Sequence, residues 1–160
     1  MLQAMIQKLV RQAGTRDPFE IARQKHIIIT EEPLGSIRGY YSRSHRQPVI
    51  HINSALSESQ RRFTCAHELG HWVLHQKLYS GTGDVAAYEG KTSLDESYGL
   101  VEWQADALAT ALLMPLPQIK RSFYRLRAGR SHEHLVAEMA RTFQVSKQAM
   151  RIRLETRNLI

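Results

Sequence analysis

The chain has 160 residues, of which 42% are hydrophobic and 23% charged, and its formal net charge is +7. These proportions are ordinary for a soluble globular protein, and the length suits one domain with a buried core. The single cysteine, Cys65, excludes an intrachain disulfide, is expected to be a small core residue, and favours a reducing, cytoplasmic location. The N-terminus lacks the continuous apolar run of a signal peptide, and no stretch is apolar and long enough to span a membrane.

The pattern of apolar residues and turn signals predicts an α+β fold in a single domain, residues 1–160. Asp17-Pro18 is a helix start, because aspartate caps a helix and proline fits its first position. Short β-branched runs such as Ile27-Ile28-Ile29 predict strands, and we expect a small antiparallel three-stranded sheet packed on a mostly helical body. The predicted helices span 2–13, 17–25, 57–75, 101–114, 116–127, 131–144 and 147–157, and the predicted strands span 27–30, 38–41 and 49–53.

The segment His67-Glu68-Leu69-Gly70-His71 lies in the third predicted helix, which Ser57 is expected to cap. Residues four apart share one face of a helix, so His67 and His71 can point both imidazoles at one ion. Glu68 lies beside them and can reach a water bound to that ion. Two ligands and a general base on one rigid element are what a zinc peptidase needs. The alternative is an ordinary helix with two hydrogen-bonded histidines.

A second helix offers a third ligand. Catalytic zinc usually has three protein ligands and an open fourth position. Glu102 follows His71 by 31 residues, and Asp106 shares the helix face of Glu102. We therefore predict a Zn²⁺ site of His67, His71 and Glu102. Glu68 would be the general base, and Asp106 would accept the outer N–H of a ligand histidine. The alternative, a solvated acidic face, is disfavoured by the many apolar residues of this helix.

Two further histidines and a long predicted loop accompany these motifs. His51 alternates with apolar neighbours and is expected to be a surface or second-layer histidine rather than a ligand. His75 lies one turn after His71; as a fourth ligand it would close the site, and it is expected to point past the metal. Residues 78–100 form a predicted loop between the two ligand helices, and long loops of this kind are often functional. This loop could cover a substrate, and Tyr88 or Tyr98 could donate a hydrogen bond to the oxyanion.

The basic excess is confined to the C-terminal portion. Residues 1–115 carry 12 Lys+Arg and 12 Asp+Glu, whereas residues 116–160 carry 10 and 3. This basic helical portion of the same domain suggests an acidic or nucleic-acid partner, or only a solvated basic face. We expect its apolar residues to be buried, namely Leu135, Met139, Phe143, Met150, Ile152 and Leu154. We expect its arginines to lie mostly outside, namely Arg125, Arg127, Arg130, Arg141, Arg151 and Arg153.

Three segments carry a family resemblance: RFTCAHELGH at 62–71, EWQADALA with ALLMP at 102–115, and MARTFQVSKQAM at 139–150. Together they resemble the ImmA/IrrE family of bacterial metallopeptidases, over nearly the whole chain from about Asp17. The family often has asparagine in place of Asp106 and phenylalanine in place of Leu108. The resemblance implies a zincin-like metallo-endopeptidase that cleaves an intracellular protein. That protein is often a helix-turn-helix repressor of a mobile element, prophage, toxin–antitoxin pair or stress response.

Two other functions stay open at this point. A DNA-binding transcriptional regulator would use the basic helices on either side of 144–146, which resemble a helix-turn-helix. That function leaves the three-ligand pattern unexplained, so specific DNA binding is not expected. A metal-binding scaffold without catalysis would be favoured by loss of the motif glutamate, but Glu68 is present. The expected partner is therefore a protein substrate, and no membrane partner is expected.

Overall fold

The computed structural model describes residues 1–75 and 96–160, without the side chains of 96–98. Its elements follow one another as two helices, three strands and five helices. The helices are α1 Leu2–Ala13, α2 Pro18–Gln24, α3 Glu58–His75, α4 Glu96–Leu113, α5 Leu116–Leu126, α6 His132–Phe143 and α7 Lys147–Glu155. The strands are β1 Ile28–Glu32, β2 Gly39–Ser44 and β3 Gln47–Asn53.

The helix starts follow the sequence signals. The Asp17 carboxylate accepts the Phe19 backbone N–H at 3.0 Å, with Pro18 in the first helical position. At the start of α3 the Ser57 hydroxyl accepts the Gln60 backbone N–H, and the Gln60 side chain accepts the Ser57 backbone N–H at 3.0 Å. This reciprocal capping box satisfies two backbone donors that the helix itself leaves unpaired.

The three strands form one mixed sheet in the order β1-β3-β2. β2 pairs with β3 antiparallel, but β1 pairs with β3 parallel, so the expectation of a purely antiparallel sheet is wrong. The α+β class itself is confirmed. The physical reason for the order is the composition of β3, whose Ile50 and Ile52 are fully buried. The most apolar strand takes the central position, and the polar β2 lies at an edge of the described sheet.

Two boundaries differ from the sequence prediction. The connection between the second and third predicted strands, residues 42–48, is shorter in the structure: only His45 and Arg46 form the turn, and their φ angles of 47° and 69° match a two-residue hairpin turn. The prediction of a loop at 78–100 is wrong for residues 96–100, which form the first residues of α4. The rest of that loop, residues 78–95, lies outside the described residues.

The buried core runs from the first helix to the last. Ile6 of α1, Leu69 of α3, Leu108 of α4 and Met150 of α7 all belong to one cluster of buried side chains. Among the described helices, none combines the length and apolar character that crossing a membrane would require.

The C-terminal helices match the sequence prediction only in part. The expected apolar positions Leu135, Met139, Met150 and Leu154 are buried. Ile152 is 51% exposed, because it lies on the face of α7 opposite Met150.

Arg153, expected outside, is buried. Its Nε and Nη2 donate to the Met114 carbonyl at 3.2 and 2.9 Å, just beyond the end of α4. Arg16 donates to the Leu112 carbonyl at 3.0 Å in the same region. Two cations therefore satisfy carbonyl groups at the C-terminal end of α4, where the helix dipole favours positive charge.

We predict that Arg153→Met lowers the free energy of unfolding by about 1–3 kcal/mol, because the Met114 carbonyl stays buried without these donors. The matched control is Arg151→Met on the same helix, which removes an exposed ion pair with Glu133. Loss of that pair should change stability by no more than about 0.5 kcal/mol. Urea unfolding of both variants measures the difference, and equal effects would contradict a capping role for Arg153.

Candidate metal centre

The close packing of α3 against α4 positions the candidate site. A Cβ atom added at Gly70 would lie 3.1 Å from both the Cα and the carbonyl oxygen of Ala105. This distance is shorter than nearly all contacts that Cβ atoms make, so glycine lets the two backbones approach without a shift of either helix. Both residues are buried. This contact places His67 and His71 of α3 opposite Glu102 of α4.

Three side-chain groups converge beside this contact. The Nε2 atoms of His67 and His71 are 3.0 Å apart. The two carboxylate oxygens of Glu102 lie 3.0 Å from the Nε2 atoms of His67 and His71, respectively. Tetrahedral ligands about 2.0–2.1 Å from zinc lie roughly 3.3 Å from one another. The three residues thus fit a metal ion both in donor type and in spacing, and their ligand atoms all lie within 4.8 Å of one another.

The outer ring nitrogens of both histidines also have partners. Nδ1 of His67 lies 2.8 Å from Oδ1 of Asp106, whose side chain is 59% exposed. Nδ1 of His71 lies 3.2 Å from Nδ1 of His75, and Nε2 of His75 lies 2.9 Å from Oε1 of Gln104. His75 therefore points away from the three converging groups, toward α4.

Glu68 is buried beside the cluster rather than in it. Burial raises the pKa of its carboxyl group to about 7, helped by the negative charges of Glu102 and Asp106. The positive charge of His67 and a hydrogen bond from the Tyr41 backbone oppose this rise. A carboxyl group with a pKa near neutrality is suited to take up and release a proton during a reaction.

The charges of the other groups depend on one another. Burial lowers the pKa of His67, but hydrogen bonds to Asp106 and Glu102 outweigh it and raise the pKa to about 10. Burial also lowers the pKa of His71. For Glu102 burial acts to raise the pKa, but hydrogen bonds from the two histidines prevail and lower it well below its usual value. The metal-free cluster therefore holds a negative Glu102 against a positive His67.

Some residues considered from the sequence lie elsewhere. His51 alternates with the buried Ile50 and Ile52, so its side chain lies on the other face of the sheet, where its Nδ1 lies 2.8 Å from Glu32 and its Nε2 lies 2.8 Å from Ser42. Cys65 is buried in the core, and burial raises the pKa of its thiol. Tyr88 lies outside the described residues. Tyr98 falls in α4, and its side chain is not described.

Gln104 was not singled out by the sequence analysis. It is two residues from Glu102, so it lies on another side of α4. Only the crossing of the two helices brings it to His75, and no spacing rule predicts that crossing. The four-residue step from His71 to His75 was the one visible signal, since it puts both rings on one face of α3.

Comparison with known proteins adds a family and several relatives. The family profile of the IrrE N-terminal-like domain matches residues 22–155. The chain is 36% identical over 78 residues to a Bacillus phage phi105 protein named uncharacterized immunity region protein 2, covering 48% of this chain and 49% of that protein. It is 36% identical over 75 residues to the metallopeptidase ImmA of Bacillus subtilis, covering 46% and 43%. It is 38% identical over 117 residues to the radiation response metalloprotease IrrE of Deinococcus radiodurans, covering 71% and 32%. The chain thus spans half or less of the length of these relatives.

We predict that Gly70→Ala weakens metal binding by about tenfold, because the added methyl group would lie 3.1 Å from the Ala105 backbone and α4 would have to shift by a few tenths of an ångström, which moves Glu102 from the histidines. The matched control is Gly99→Ala in α4, where an added Cβ meets no atom within 4 Å. That change should only stabilise the helix, by up to about 1 kcal/mol. Metal affinity measured by chelator competition separates the two, and equal affinities would show that the close contact does not position the site.

We also predict that metal uptake at pH 8 releases about one proton. The raised pKa of about 10 keeps His67 protonated at this pH in the metal-free protein, and the ion needs the lone pair of Nε2. Apparent affinity should therefore rise as pH increases toward 10, by up to about tenfold per pH unit. Calorimetry in buffers of different ionisation enthalpy measures the released proton, and an enthalpy that does not vary with the buffer would contradict the prediction.

Proposed function

Because the chain belongs to the family of the IrrE N-terminal-like domain, we propose that it is a zinc-dependent metallo-endopeptidase. The family match confirms the resemblance noted in the sequence. The observation that carries the proposal is the convergence of His67, His71 and Glu102 with Glu68 buried beside them. The proposal covers residues 1–160 as one metallopeptidase domain, with residues 116–160 as its basic helical portion.

In the proposed site His67, His71 and Glu102 would hold the ion. Two histidines and one glutamate are a ligand set used by catalytic zinc in peptidases. A bound Zn²⁺ would act as a Lewis acid that acidifies water and polarises a carbonyl group. Asp106 would accept the Nδ1–H of His67, which holds the ring with Nε2 toward the ion.

Glu68 is the proposed general base and acid. Its carboxylate would take a proton from the attacking water and then give it to the amine that leaves when the peptide bond breaks. In the metal-free protein burial raises the pKa of this carboxyl group to about 7, and the positive charge of a bound ion would favour its ionised form, which accepts a proton. Burial keeps bulk water away from the carboxyl group, so the proton passes between the reacting groups.

The proposed substrate is a protein, bound in part along β2. The Arg38 carbonyl accepts the Asn53 N–H at 2.8 Å, so Arg38 and every second residue after it direct their backbone groups toward β3. Tyr41 and Arg43 lie at the positions between, so their backbone groups point away from β3. The Tyr41 backbone reaches Glu68. An extended substrate segment that pairs with this edge of the described sheet at Arg43 would therefore pass the general base.

The class of protein is proposed from the family resemblance of the sequence. A helix-turn-helix repressor of a mobile element, prophage, toxin–antitoxin pair or stress response is the proposed substrate, and exposed Arg125, Arg127, Arg130 and Arg141 would attract acidic groups on it. An intracellular setting is proposed from the single cysteine.

The DNA-binding alternative is not favoured. In α7, the second helix of the helix-turn-helix-like pair, Arg153 is buried against Met114 and Arg151 pairs with Glu133. These two arginines are therefore less available to contact phosphates. A regulator would also leave the metal-type cluster on α3 and α4 without a role.

We predict that Glu68→Gln retains the metal and loses about 10²–10⁴ in cleavage rate, because the amide cannot accept the proton. His71→Ala should lose both the metal and cleavage. In the native cell, mass spectrometry of protein N-termini compares the wild-type chain with Glu68→Gln, so that the substrate need not be known. A new N-terminus inside a helix-turn-helix protein, present only with the wild type, is the expected result.

Two outcomes would count against the proposal. Identical N-termini in both strains would exclude proteolysis by this site. Retention of metal by His71→Ala would show that the ligand set is wrong, whatever the cleavage pattern.

A further inference from the structure

We propose that His75 is a positioning residue for the candidate metal centre, acting on His71 and held in turn by Gln104. In this arrangement His71 donates Nδ1–H to Nδ1 of His75, and His75 donates Nε2–H to Oε1 of Gln104. The chain of two hydrogen bonds leaves Nε2 of His71 with a lone pair for an ion. The inference rests on the ligand role proposed for His71 and adds two residues that do not touch the ion.

The geometry supports both links. The two Nδ1 atoms are 3.2 Å apart, and Nε2 of His75 is 2.9 Å from Gln104 Oε1. The opposite nitrogen of His71, Nε2, lies 3.0 Å from both His67 Nε2 and a Glu102 oxygen. The imidazole ring of His71 thus faces the converging ligand atoms with Nε2 and faces His75 with Nδ1.

Only one assignment of donors and acceptors in these two hydrogen bonds lets His71 bind a metal ion. A neutral imidazole has one N–H and one lone pair. If His75 donated its Nδ1–H to His71, the proton of neutral His71 would lie on Nε2 and block the ion. With His71 as the donor, His75 must carry its own proton on Nε2, and the Gln104 carbonyl oxygen is the acceptor that this tautomer needs.

The hydrogen bonds of His71 and His75 are buried, so losing a partner has a larger effect than at the surface. His71 is 4% exposed and His75 is 5% exposed, so water does not replace either partner freely. The situation at His67 differs, because its partner Asp106 is mostly exposed. The two ligand histidines are therefore oriented by different chemistry, a carboxylate near solvent for one and a neutral imidazole and amide in the interior for the other.

An imidazole and an amide, rather than a carboxylate, fit the surroundings of His71. Glu68 and Glu102 already place two carboxyl groups on this side of the site. A third carboxylate in place of His75 would add a further like charge close to them. An imidazole and an amide orient His71 without adding negative charge.

The first test measures metal affinity. His75→Leu should weaken Zn²⁺ binding by about 10–100-fold in chelator competition, the usual cost of losing an outer partner of a ligand histidine. His75→Asn should recover most of the affinity, because its amide oxygen can accept near the position of Nδ1. Gln104→Met should weaken binding less than His75→Leu, and His134→Leu at an exposed position should leave it unchanged.

The second measurement separates positioning from a merely structural role. In the Zn²⁺-loaded wild-type protein with ¹⁵N-labelled histidine, long-range nitrogen–proton spectra should show His71 protonated on Nδ1 and His75 protonated on Nε2. This measurement needs no variant, so it stands even if His75→Leu does not fold. A His75 protonated on Nδ1, or doubly protonated, would overturn the proposal.

The outcomes also separate this inference from the proposed function. If His75→Leu loses stability in urea but binds Zn²⁺ as tightly as wild type, His75 is structural and the inference fails while the peptidase proposal stands. If the tautomers and affinities are as expected but no protein is cleaved, the positioning role holds and the peptidase proposal fails.

Discussion

The backbone contact between Gly70 and Ala105 is the constraint on which the candidate site depends. The proposed ligands come from two helices, and neither helix alone can surround an ion. Side chains of ordinary size at this crossing would separate the helices and leave Glu102 out of reach of the histidines. Gly70 also weakens α3, since glycine is a poor helix former. Glycine at this position therefore lowers the stability of α3 but allows α3 and α4 to approach closely, which brings the three groups within hydrogen-bond distance.

The electrostatics of the cluster follow from the same approach. Bringing Glu102 against two imidazoles lowers its pKa, and the resulting negative charge helps to raise the pKa of buried Glu68. His67 remains protonated because two carboxylates face it. In the metal-free protein these ion pairs offset the cost of burying charge. A divalent ion would take over that role, since it offers the same carboxylate and imidazole groups a stronger positive partner.

The sequence predicted the parts of this structure that depend on local spacing. Helical periodicity put His67 beside His71 and Glu102 beside Asp106, and the structure brings these four residues together; their roles stay predictions. What depends on packing between distant segments could not be predicted in the same way. The central position of β3 reflects competition among strands for burial. Contact between His75 and Gln104 needs the crossing of α3 and α4, which no single helix encodes.

The basic C-terminal portion contributes to the site indirectly. α4 carries Glu102 in its first half, and its other end is fixed by Arg16 from the N-terminal segment and Arg153 from α7. A shift of α4 along its axis would break these hydrogen bonds to Leu112 and Met114 before it moved Glu102 far from the histidines. Part of the positive charge that suggested an external partner therefore acts inside the fold, where it satisfies the carbonyl end of the helix that supplies the proposed third ligand.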